Sequence, residues 1–237
     1  MLEISHLRKS YGTKNVIPDL SLEVRDGEIC GFIGHNGAGK TTTIRCAVGI
    51  LPYEAGTIRI NGTDIQEDPI LVKKQTAYLP DNPDLYENMT GEAFLDFIAD
   101  VFEVGQKERE ERITSLAREL EVYDVLGDSI ASYSHGMKQK TALISAFLHE
   151  PKLLVLDEPF VGLDPKAAYI MKKKLRELCD RGGSVFFSSH VLEVVSNLCD
   201  QIIILNHGEI VRSGSTEEIL AAGESLEEVF LETEDEK

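Results

Sequence analysis

Residues 34–41 read Gly34-His35-Asn36-Gly37-Ala38-Gly39-Lys40-Thr41, which is G-x-x-x-x-G-K-[ST] without a mismatch. Upstream, Glu28 to Ile33 contains a short apolar run suited to a buried strand. Downstream, Lys40 to Val48 reads as a helix. Strand, glycine loop and helix in that order make a phosphate-binding loop. Gly34, Gly37 and Gly39 let the backbone turn tightly and aim successive N–H groups inward, where an anion also meets the positive end of the helix. In such a loop Lys40 reaches the β- and γ-phosphates and the Thr41 hydroxyl ligates Mg²⁺. A chance match in a chain of this length is on the order of one in a hundred from average residue usage. Nucleotide binding is therefore the first expectation.

The remaining chain supplies an α/β frame for that loop. Residues 2–24 have strand character, with Leu20, Leu22 and Val24 alternating with Ser21 and Glu23. Thr57 to Ile60 leads into the tight-turn pair Asn61-Gly62, and Ala77-Tyr78-Leu79 is a short strand ended by Pro80. Apolar runs at Leu153 to Leu156, Val185 to Phe187 and Ile202 to Leu205 alternate with helical stretches, the mark of a parallel sheet buried on both faces.

Between about Thr90 and His149 the period becomes helical, in the sets Phe94/Phe97/Ile98/Val101, Ile113/Leu116/Ala117/Leu120 and Leu143/Ile144/Phe147/Leu148. This stretch reads as a helical insertion between two halves of the core, although periodicity alone slightly favours helices that simply cover the sheet. Ser215-Thr216-Glu217-Glu218 and Ser225-Leu226-Glu227-Glu228 are capping boxes that open two short helices, and Glu232 to Lys237 reads as a frayed acidic tail. The division expected is a core of residues 1–88 and 150–215, a helical subdomain over 89–149, and short helices with the tail over 216–237.

Composition narrows the setting. The chain has 237 residues and a net charge of −17, from 41 acidic and 24 basic side chains. Such a surface repels nucleic-acid phosphates and anionic lipid alike. No apolar run approaches the roughly 18 residues of a membrane span, and Met1 to His6 lacks the layout of a signal peptide. Cys30, Cys46, Cys179 and Cys199 show no C-x-x-C spacing, as expected in a reducing, cytoplasmic setting.

A second motif lies at Leu153 to Pro159, L-L-V-L-D-E-P. In company with a phosphate loop, Asp157 is placed to hold Mg²⁺ through water and Glu158 to orient or deprotonate the attacking water. The order of motifs resembles the nucleotide-binding subunit of an ATP-binding cassette (ABC) transporter over nearly the whole chain. Tyr133-Ser134-His135-Gly136-Met137 stands where that family has L-S-G-G-Q, followed by Lys138-Gln139, and Gly162-Leu163-Asp164-Pro165 matches the loop after the carboxylates.

The resemblance implies a P-loop NTPase core with a largely parallel sheet, an N-terminal antiparallel β region and an inserted α-helical subdomain. It implies Tyr11 stacked on adenine, the loop from Gly34 to Thr42 around the phosphates, and His190 on the γ-phosphate. It also implies Ser134 and Gly136 closing over the ATP of a second ATP-binding subunit. Two departures stand out. His135 replaces a glycine, in a Y-S-x-G-M-K-Q form similar to bacterial export-type cassettes. Asp81 replaces the family's metal-contacting glutamine after Tyr78-Leu79-Pro80.

Motifs and resemblance together imply an ATPase using ATP and Mg²⁺ to power transport, with export favoured, through an integral-membrane permease. Since every ATP-site motif is in this chain, a homodimer is the simpler arrangement. A soluble ABC ATPase acting on nucleic acid or ribosomes is the alternative. Acidity and the lack of a second cassette argue against it.

Overall fold

The computed structural model describes residues 1–220 and 225–235. Strands β1 (Leu2–Tyr11) and β2 (Lys14–Val24) form an antiparallel hairpin, followed by β3 (Ile29–Ile33), helix α1 (Lys40–Ala47), β4 (Ala55–Ile60) and β5 (Thr63–Asp64). Helix α2 (Pro69–Gln75) then leads into β6 (Thr76–Leu79). The β4–β5 turn is made by Asn61 and Gly62, both at positive φ, as the Asn-Gly pair predicts. Strands β2-β1-β4-β5 make one antiparallel sheet, the expected N-terminal β region.

Helices α3 (Gly91–Val101), α4 (Gln106–Glu119) and α5 (His135–Phe147) fill the segment with helical periodicity. Thr90 caps α3 by accepting the Ala93 N–H, and Glu92 lies in its first turn near the positive helix end. Helix α5 packs on β6, and α3 and α4 pack on α5. The chain returns through β7 (Leu153–Asp157), α6 (Pro165–Asp180), β8 (Ser184–Ser189), α7 (Leu192–Leu198), β9 (Gln201–Asn206) and β10 (Glu209–Ser215). Helix α8 (Thr216–Ile219) opens with the capping box of Ser215 and Glu218. Helix α9 (Leu226–Asp235) opens with reciprocal bonds between Ser225 and Glu228. It continues to Asp235, past Glu232 where the composition suggests a tail, while residues 236 and 237 lie outside the described residues.

The second sheet has the order β10-β9-β3-β8-β7-β6 and is parallel except for β10, paired antiparallel at its edge. Every residue of β3, β7 and β8 is buried, as the continuous apolar runs predict. Because side chains alternate across a sheet, each strand feeds two cores. Ile29, Ile33, Leu154 and Leu156 meet the helices, including α5 and α6. Cys30, Phe32, Leu153 and Val155 face the antiparallel sheet and α1. There Phe32 and Phe186 pack with ring centroids 5.2 Å apart. A fully buried side chain of this class contributes about 1.5–3 kcal/mol. All four cysteines are buried, and burial raises their thiol pKa values.

This strand order places the motifs. Neighbouring strands β3, β8, β7 and β6 run parallel, so their carboxyl ends lie along one edge of the core. The phosphate loop follows β3, Asp157 and Glu158 sit at the end of β7, His190 follows β8, and Asp81 lies two residues beyond β6. In open α/β sheets ligands bind outside this edge.

A candidate nucleotide site at the carboxyl edge of the sheet

A cleft of about 370 Å³ lies there, lined by Lys14, Val16, His35, Asn36, Gly37, Gly39, Lys40, Thr41, Thr42, Asp81, Asp157 and Glu158. Gly34 must be glycine because a Cβ there would collide with the Leu205 carbonyl oxygen. Gly39, at φ 112°, forms the N-cap of α1 and provides no side chain to its first N–H groups, and no acid lies in the first turn. Those donors and the positive helix end are thus directed to an anion.

Lys40 is only 7% exposed. Its ammonium donates to the carbonyls of Gly34 (2.5 Å) and His35 (3.3 Å). Burial lowers its pKa, with Glu158 and Asp157 pulling the other way. The loop is braced by His35, whose Nε2 lies 2.9 Å from Asn206 Oδ1 and whose ring meets His207 edge-on.

Ser188 organises both carboxylates. Its hydroxyl donates to Asp157 Oδ1 at 2.5 Å, while its Oγ and carbonyl accept the Glu158 N–H at 3.1 and 3.2 Å. Glu158 thereby holds a left-handed φ of 50°, a strained conformation for a non-glycine residue. Its Oε2 accepts both the backbone N–H and ring Nδ1 of His190, at 3.1 and 2.8 Å. Sequence reading missed Ser188. Its signal was a polar Ser188-Ser189 pair ending the apolar run Val185 to Phe187.

Thr41, Asp81 and Asp157 bring only oxygen donors to the cleft, which suits Mg²⁺. Among the described residues no group of three or more His, Cys, Asp or Glu is arranged to hold a metal. An ion here would complete its shell with phosphate and water oxygens, as Mg²⁺ prefers.

The other expected site residues do not themselves line this cleft. His190 lines an adjoining cavity with Gly34, His35 and Asn36. Ala38 is buried beneath the loop. Tyr11, 49% exposed with the Lys9 ammonium 5.1 Å from its ring centre, ends β1 opposite Lys14, a residue that lines the cleft. Ser134 and Gly136 do not line it either. Ser134 caps α5 by accepting the Met137 N–H at 3.3 Å, and this helix start is exposed and has no acid in its first turn.

Comparison with known proteins covers the phosphate loop, the signature stretch and the paired carboxylates. Residues 17–161 fit the family model described as ABC transporter. The ABC-type transporter ATP-binding protein EcsA of Bacillus subtilis (strain 168) is 36% identical over 219 residues, covering 92% of this chain and 89% of that protein. Linearmycin resistance ATP-binding protein LnrL of the same organism is 31% identical, covering 91% and 69%. A solved structure described as the ATP binding subunit of an ABC transporter superposes with a TM-score of 0.95 at 36% identity, covering 99% of this chain and all of that one. The chain belongs to the ABC transporter family, as an ATP-binding subunit and ATPase built on the P-loop fold.

Proposed function

We propose that this subunit hydrolyses ATP to drive transport, in the outward direction, through a separate integral-membrane permease. It acts as one of two identical subunits paired head to tail at the cytoplasmic face. The observation that carries the pairing is the division of the site. Lys40, Thr41, Asp157 and Glu158 share one cleft, whereas Ser134 and Gly136 stand elsewhere on the exposed, acid-free start of α5. A second copy would bring that helix start over the nucleotide, meeting phosphate with backbone N–H groups.

In this reading Lys40 and the loop N–H groups stabilise charge on the phosphoryl group in flight. Glu158 polarises the attacking water, and His190 holds the γ-phosphate end. Tyr11 stacks on adenine. Mg²⁺, held by Thr41 and Asp157 with Asp81 nearby, would neutralise charge on the phosphate oxygens. ATP favours the closed pair and hydrolysis removes that preference. Residues 89–149 act as the helical subdomain that carries the signature, between core segments 1–88 and 150–215.

The outward direction is supported by the export-like Y-S-x-G-M-K-Q signature and by a relative named for linearmycin resistance. Membrane attachment is assigned to a protein partner because no helix among the described residues is long and apolar enough to cross a membrane, and the surface is acidic. The subunit should copurify from native membranes with a polytopic protein and sediment with membranes only when that protein is present. Equal partition in its absence, or copurification with ribosomes or DNA instead, would refute the transport reading.

A further inference from the structure

His135 replaces a glycine of the family signature, and its ring rests on the loop that follows Asp157 and Glu158. A Cβ placed on Gly162 would lie 2.7 Å from His135 Cδ2 and 2.9 Å from Nε2, so the imidazole occupies the space of any larger residue there. Gln139, one turn along α5 and buried, donates to the Val161 carbonyl at 3.2 Å. Lys140 pairs with Asp164 at 2.6 Å. The first two turns of α5 therefore grip residues 161–164 at three points. The same loop closes back on Glu158, whose carbonyl accepts the Val161 N–H at 3.2 Å.

We propose that His135 is a positioning residue for Glu158 of its own chain. Its ring bears on Gly162, which is exposed and at φ 79°. With glycine at both 135 and 162, this stretch would have much more backbone freedom. Held as it is, movement of the signature turn shifts Val161, and with it the turn that sets Glu158. A nucleotide engaging the signature of one subunit thus acts on that subunit's own carboxylate, as well as on the site it covers. This inference rests on the paired-subunit reading.

Mixed pairs separate the two effects. One chain carries E158Q, so only the other chain's Glu158 supports hydrolysis, and H135G is placed on either chain. On the chain with Glu158 intact, H135G should lower kcat about tenfold or more, by displacing a catalytic group, with KM for ATP little changed. An unchanged kcat there, whatever H135G does on the E158Q chain, would overturn the inference. Gly162→Ala on the intact chain should also lower kcat, both by straining a residue at φ 79° and by forcing a methyl against the ring, and H135G/G162A should recover the part due to the ring. A double variant no faster than Gly162→Ala alone would show that the contact does not position Glu158. Gel filtration with ATP, run first, tests the pairing by itself: failure of the chains to pair would remove the paired-subunit reading together with the inference.

Discussion

His190 and Glu158 are joined twice at one oxygen: Glu158 Oε2 accepts the backbone N–H of His190 at 3.1 Å and its ring Nδ1 at 2.8 Å. Two contacts to one oxygen fix both the backbone and the imidazole of His190 beside the carboxylate. The bond couples the residue assigned to water to the residue assigned to the γ-phosphate.

Glu158→Gln should lower steady-state hydrolysis by at least about 100-fold, the contribution expected of a positioned general base. The phosphate loop is untouched, so ATP binding should persist and an ATP-dependent dimer should accumulate on gel filtration. Near-normal turnover would remove Glu158 from its assigned role.

Lys40→Met should abolish the stabilisation by ATP and Mg²⁺ seen in thermal unfolding, because the charge-assisted contact to phosphate is lost. The nucleotide-free protein should melt within about 2–4 °C of the parent, a change of roughly 1 kcal/mol for a chain this size. Methionine keeps the apolar stem in place, so the empty fold loses chiefly the ammonium's bonds to the Gly34 and His35 carbonyls. A large fall in melting temperature without nucleotide would contradict this.

Asp81→Asn should raise the Mg²⁺ concentration needed for half-maximal hydrolysis by about three- to tenfold, the effect of about 1 kcal/mol of charge interaction in a solvated cleft. ATP affinity should hardly move. Superimposable Mg²⁺ titrations would make Asp81 a loop residue that merely lines the cleft.

Tyr86 is 55% exposed, with its ring edge-on to Phe94 and Phe97 at 6.1 and 5.8 Å, whereas neighbouring Leu85 and Met89 are partly buried against the core. Sequence leaves docking and core packing evenly matched for all three. Exposure separates Tyr86 from the other two. Tyr86→Ala should cost about 1–3 kcal/mol for its two aromatic contacts and release the subunit from membranes that hold the permease. Full sedimentation with unchanged melting would exclude Tyr86 as an anchor.

His149 stacks on Phe102 with ring centroids 3.7 Å apart. Burial, aided by the charge of Arg112, lowers its pKa to about 4. The folded state therefore keeps the imidazole neutral where the unfolded chain, titrating at about 6.5, takes up a proton. This site reduces stability as pH falls from about 6.5 towards 4, by about 2 kcal/mol at pH 5. His149→Phe keeps a stacking ring and removes the titration, so its melting temperature should fall less between pH 7 and pH 5 than the parent's. Equal falls would show that His149 does not govern acid sensitivity.

Sequence alone determined what depends on near neighbours along the chain. The phosphate loop is legible because three glycines and a lysine at fixed spacing must make one backbone shape. Asn61-Gly62 and the Ser215 and Ser225 capping boxes are local in the same way. Strands β3, β7, β8 and β9 were legible as continuous apolar runs because burial on both faces leaves no polar alternation.

Only tertiary structure decided which of these distant pieces meet. The order β3-β8-β7-β6 sets Asp81, Asp157 and Lys40 on one cleft, and no local pattern encodes which strands pair. Ser188 gained its role by standing beside Asp157 in the parallel register of β7 and β8. Strand pairing sets Tyr11 opposite Lys14, which lines the cleft, whereas helix packing leaves Ser134 at the start of α5, outside it. The grip of His135 on Gly162 joins residues 27 positions apart across α5 and the loop after β7. Such contacts arise when packed helices and strands fix the relative positions of remote segments, which spacing along the chain does not specify.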